Sequence, residues 1–181
     1  MDYGLELKFQ QGAPGVTLTD GAVVEGYASL FGVADQGGDV VQAGAYAASL
    51  KAMAAAGRSV KLLWQHDPGQ PIGIWDEVRE DGRGLWVKGR LLTDVARGRE
   101  AAALIAAGAI EGLSIGYRTV KAARDSKGQR LLTELELWEV SLVTFPMLPE
   151  ARVAAKGTEP AALLGELAGL FDEARRVMAA R

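Results

Sequence analysis

The chain of 181 residues has no cysteine and one histidine, His66. Without cysteine it can form no disulfide framework, thiolate nucleophile or thiolate metal site. One imidazole also falls short of the several His and Cys ligands that a zinc site normally needs. An excess of charge of one sign is missing as well. The chain carries 20 Lys and Arg against 23 Asp and Glu, a formal net charge of −3. No cluster of basic residues marks a phosphate-binding face, so a nucleic-acid partner is not expected. No uninterrupted apolar run reaches the roughly 18–20 residues that a membrane span requires. The first residues, MDYGLELKFQ, lack the basic and apolar regions of a secretory signal. These absences lead us to expect a soluble intracellular protein without a membrane partner, metal or cofactor.

What is present suits a globular core. Hydrophobic residues make up 49% of the chain and charged residues 24%, ordinary values for one domain with or without a terminal appendage. Alternating or apolar runs predict strands at YGLELKF (from Tyr3), AVVEGYASLFG (from Ala22), SVKLLWQ (from Ser59), IGIWDEV (from Ile72) and GLWVKGRLL (from Gly84). Two longer runs complete the set, GLSIGYRTVKA from Gly112 and QRLLTELELWEVSLVTF from Gln129. The turns REDGRG and RDSKGQ predict hairpins between the last two pairs. Gly26, inside its run, marks a bulge or a close backbone approach.

The Ala-rich segment from Ala45 to Gly57 predicts a helix, and so does the segment from Thr93, with capping residues at its start. After a Pro- and Gly-containing stretch, Leu163, Leu167, Leu170, Ala174 and Val177 line one seam of a terminal helix that Thr158 can cap. About seven antiparallel strands in one small domain imply a barrel or a sandwich.

Chemistry begins with His66, in LLWQHDPGQPIG, where a strand ends and Asp67-Pro68-Gly69 supplies a turn. Imidazole titrates nearest neutral pH and is the natural general base. A strand-end histidine on the surface is the plainer reading, and position alone does not choose between the two. With no cysteine, a nucleophile must be a hydroxyl, and Ser29, Ser114 and Ser141 are candidates. Ser114 lies in EGLSIGYR between Gly112 and Gly116, which allow close backbone approach. The motif is not a GxSxG elbow. A serine on a solvated strand face would look the same. Asp67 is a poor partner for His66, because neighbours on a strand point to opposite faces. Glu139, between Trp138 and Val140 and ahead of an apolar run, is costly to bury unless paired. Glu136 is its rival, and Glu134 and Glu136 share the other face.

GDVVQAGAYAASL, LLWQHDPGQPIG, EGLSIGYR and WEVSLVTFPMLPEA stand in this order over roughly residues 20–155. Together they resemble the prohead (capsid maturation) protease family of HK97-like tailed phages, with members in prophages and gene transfer agents. The resemblance implies a serine endopeptidase related in fold to the herpesvirus assembly proteases. That fold is mainly β with α, a small closed or partly open antiparallel β-barrel surrounded by helices. It divides the chain into a protease barrel over 1–155 and a C-terminal amphipathic helix over 156–181. It implies His66 as general base, Ser114 as nucleophile and Glu139 as orienter, with Glu136 as alternative.

Oxyanion donors are left open between Arg152 and the backbone amides of residues 147–150. The implied role is to enter the immature capsid in the bacterial cytoplasm, cut the scaffolding portion of the major capsid protein, and then digest itself. Self-association through the terminal helix, or as a dimer, is a further expectation.

Overall fold

The protein was analysed as a computed structural model, which describes residues 4–9, 17–35 and 37–144. Nine strands and two helices follow the order β1 (Glu6–Phe9), β2 (Thr17–Thr19), β3 (Val23–Leu30), β4 (Asp39–Val41), α1 (Ala47–Ala55), β5 (Lys61–Trp64), β6 (Asp67–Glu80), β7 (Gly84–Leu91), α2 (Ala96–Ala106), β8 (Gly112–Arg124) and β9 (Arg130–Val143). The expected terminal helix, Arg152 and residues 147–150 lie outside the described residues. Among the described residues, no helix is long and apolar enough to cross a membrane, and no group of three or more His, Asp or Glu could hold a metal ion.

The strands form one sheet in the order β1-β8-β9-β5-β6-β7-β3-β2, with β4 also on β9. Both expected hairpins are present, β6–β7 and β8–β9. The expected antiparallel barrel, closed or partly open, is corrected in its pairing. The sheet is mixed, and its pairing runs from β1 to β2 without closing. Two short strands, β2 and β4, raise the count to nine. Each is only three residues long, too short to show a period in the sequence.

The mixed pairing has a local cause at β9. One edge of β9 pairs with β8. Its other edge is shared along its length by β4 and β5, both parallel to it. The chain leaves β4, forms α1, and returns to the same edge further along as β5. In the gap between them, α1 and the residues before it supply the missing acceptors. The N–H of Leu135 donates to the Ala45 carbonyl at 2.9 Å, and that of Leu137 to Ser49 Oγ at 2.9 Å. A buried backbone donor left unmet would cost free energy comparable to a lost hydrogen bond. Gly57 (φ +61°) ends α1, and the Arg58 N–H turns back to the Met53 carbonyl at 2.9 Å.

The two internal helices fall where the Ala-rich segments predict them. The start of α2 differs from expectation. Its N-cap is Val95 with no side-chain cap, and Thr93 instead offers its carbonyl to Arg99 Nη1 at 2.9 Å. Burial of Ala101, Ala102 and Ile105 holds this helix against the sheet. In β3, the irregularity falls between Tyr27 and Ser29, not at Gly26. The core gathers Leu62, Ile72, Leu85, Ile115, Leu137 and Val140 from five strands, each at 2% exposure or less. Each such side chain contributes about 1.5–3 kcal/mol by leaving water.

Candidate active site

Three neighbouring strands carry the site. β8 holds Ser114, β9 holds Glu139 and Ser141, and the connection from β5 to β6 holds His66. β8 and β9 place Ser114 across from Ser141 and Gly116 across from Glu139. β5 pairs on the far side of β9, with Lys61 beside Glu139 and Trp64 beside Leu142. His66 therefore arrives at the level of Ser141, two strands from Ser114.

The turn is at His66 itself, not at Asp67-Pro68-Gly69 as expected. Trp64 and Asp67 are paired, and the residues between them, Gln65 and His66, have φ of 51° and 62°. Two left-handed residues closing an antiparallel pair form a type I′ hairpin, for which Asn and Gly are the usual occupants. Gln and His there cost on the order of 1–3 kcal/mol each. Bonds to the end of β9 offset that strain. The Gln65 N–H donates to the Leu142 carbonyl at 3.0 Å, and Gln65 Nε2 donates to Thr144 Oγ1 at 2.6 Å. The His66 N–H donates to Ser141 Oγ at 3.3 Å. Asp67, as expected, does not hold the imidazole. Its Oδ1 accepts the Gly69 N–H at 2.8 Å.

His66 Nδ1 lies 2.6 Å from Glu139 Oε1, with the side chains 12% and 5% exposed. The other carboxylate oxygen, Oε2, accepts the Ser141 hydroxyl proton at 2.5 Å. An ionised carboxylate only accepts, so Nδ1 carries the proton of this contact, and in the neutral ring Nε2 then presents a lone pair. This is the tautomer a general base needs. Ser141 is two positions from Glu139 on the same strand, but His66 is 73 positions away and no local pattern pairs them.

The rival Glu136 is elsewhere. A register irregularity at Trp138 separates the two glutamates, with Glu139 opposite Gly116 but Leu137 opposite Tyr117. Glu136 is half-buried and lines a recess of about 210 Å³ beside α1 with Ser49, Met53, Lys61 and Trp138. Glu134 pairs with Lys121. Ser29 is buried on β3 beside the Tyr46 hydroxyl. Ser141 gives its proton to a carboxylate and not to an imidazole, which does not activate it for attack. Ser114 has no exposed surface, so the solvated-face reading of it is wrong.

The sequence pattern of the caudovirus prohead serine protease family matches residues 11–163. The chain belongs to this family. The prohead protease of Enterobacteria phage HK97 is 32% identical over 136 residues, which is 74% of this chain and 59% of that relative. The chain thus spans about three-fifths of that curated relative's length. The solved structure of the bacteriophage T4 capsid assembly protease shares the fold, with a TM-score of 0.59 at 17% identity, over 77% of this chain and 96% of that one. In this prohead protease family member, sequence reasoning missed two features. Ser141 joins Glu139 to the His66 backbone, and Gly116 makes room for the carboxylate. A Cβ at Gly116 would stand 2.1 Å from Glu139 Oε1. The glycine was visible as a point of close approach, but not what approaches it.

Proposed function

We propose that this chain is a serine endopeptidase of prohead maturation that cuts the scaffolding portion of a major capsid protein, and itself, inside the immature capsid. The single observation carrying this reading is the buried 2.6 Å contact of the only histidine with Glu139, on the strand paired to that of Ser114. Family membership supports the same reaction class.

In this mechanism Ser114 Oγ attacks the scissile carbonyl while His66 Nε2 takes its proton. The imidazolium is stabilised by Glu139 and then protonates the leaving amine. Water repeats the sequence on the acyl-enzyme and releases the second product. A tetrahedral oxyanion needs N–H donors about 2.7–3.1 Å away. The candidate donors, the backbone amides of residues 147–150 and Arg152, lie outside the described residues. No metal or cofactor enters any step.

A second reading, a catalytically idle assembly module on the same fold, is favoured by one observation: Ser114 is fully buried.

Co-expression with the capsid subunit of the same genome separates the two readings. Ser114→Ala is expected to lower capsid shortening and self-cleavage by about 10⁴-fold or more, while particles still assemble. Unchanged processing rejects Ser114 as nucleophile. Particle assembly without processing by the wild type selects the idle module.

A further inference from the structure

We infer that Ser141 is a positioning residue of the site, its one hydroxyl holding the Glu139 carboxylate and the His66 backbone in a single arrangement. The inference rests on the protease reading for its effect on turnover, but its geometry stands alone. Ser141 is fully buried. Its Oγ donates to Glu139 Oε2 at 2.5 Å and accepts the His66 N–H at 3.3 Å. Both bonds end on members of the His66–Glu139 pair.

The role follows from what each bond opposes. A glutamate side chain has three rotatable torsions, and one bond to an imidazole does not define them all. The second bond, to Oε2, fixes the carboxylate so that Oε1 meets Nδ1. Gly116 leaves the room for this pose and so does not itself hold it. The backbone bond acts on the other partner. His66 lies at φ 62°, a region that non-glycine residues leave unless surrounding contacts hold them. Losing the Ser141 acceptor frees that N–H and lets the ring drift relative to Ser114. A displacement of about 1 Å at a reacting group can cost 10²-fold in rate.

The sole histidine makes the test direct. In protein purified without a histidine tag, the His66 ring N–H gives one NMR resonance, moved to low field by a short bond to a carboxylate. Glu139→Gln is expected to move it upfield. Ser141→Ala is expected to do the same in part, with ring-proton exchange with water at least ten times faster, while the melting transition remains cooperative. Ser141→Thr, which keeps the hydroxyl, is expected to restore the signal and most of the processing rate. In co-expression, Ser141→Ala is expected to slow capsid-protein shortening by about 10- to 100-fold.

An unchanged ring-proton signal and unchanged processing in Ser141→Ala overturn the inference, as does a Ser141→Thr variant that behaves like Ser141→Ala. If Ser141→Ala does not fold, Ser141→Cys, close in size but a weak donor, carries the same comparison. The ring-proton signal does not depend on whether Ser114 attacks. Persistent processing in Ser114→Ala would sink the protease reading while leaving the positioning result intact.

Discussion

Glu139 occupies a position where a few tenths of an ångström matter. Its carboxylate is buried, bonded on both oxygens, and faced by a glycine whose missing Cβ would overlap Oε1. A flexible exposed side chain would swing away from such a methyl group at little cost. This one cannot do so without breaking a bond to His66 or Ser141. Gly116→Ala is therefore expected to behave like Glu139→Gln, slowing capsid-protein processing by about 100-fold or more. Glu136→Gln, in the recess beside α1, is expected to stay within a few-fold of wild type. Time courses of processing in co-expression check all three, and equal losses for Glu136→Gln and Glu139→Gln would remove Glu139 as orienter. The choice between the two glutamates was legible from the cost of burying a carboxylate among apolar neighbours. Ser141, two residues along the same strand, shares the face of Glu139 by the period of two, whereas no local period reaches His66, 73 positions away.

The hairpins and turns tell a different story. The β6–β7 hairpin follows from its sequence, and Asp81 holds it. Its carboxylate accepts the Tyr27 hydroxyl at 2.7 Å, the N–H groups of Arg83 and Gly84 at 2.8 and 3.1 Å, and Arg79 Nη1 at 3.0 Å. The Tyr27 bond, then those backbone bonds, lower the Asp81 pKa from 3.8 to about 2. A folded-state pKa below the unfolded one contributes stability that is fully present above the unfolded value and is lost as pH falls through the folded one. Asp81→Asn is expected to melt below wild type near neutral pH, with the gap closing as pH falls from 3.8 toward about 2. A gap that does not change over that window would count against the assignment. The β5–β6 connection was misread because Asp-Pro-Gly is a strong local turn signal and Gln-His is a weak one. Bonds from Leu142, Ser141 and Thr144 override local preference there. The same override explains α2, which starts without a side-chain cap because its buried face holds it to the sheet.

Across the whole molecule, the pairings that make the site are non-local. β5 lies parallel to β9, and β4 parallel to β9 with Asp39 bonded to Arg130 across 91 positions. Chains whose native contacts are this distant must close large loops before those contacts form, and they fold in milliseconds to seconds. Refolding followed through the four tryptophans is expected to show its main phase in that range. A microsecond phase carrying most of the amplitude would contradict it.

By itself the sequence determined what can be read within a hairpin or a helical turn: the lack of any thiol, the two hairpins and the two internal helices. Those follow from composition and from periods of two and 3.6 residues, which are local. Tertiary structure alone decided that the sheet is mixed and open, that His66 sits in a left-handed turn, and that Ser141 and Gly116 serve the same carboxylate. The mixed pairing and the His66 turn depend on β5 returning to the edge of β9 already shared with β4, a placement set by burying apolar side chains and pairing backbone donors across strands far apart in the chain, while Gly116 meets Glu139 through the β8–β9 register.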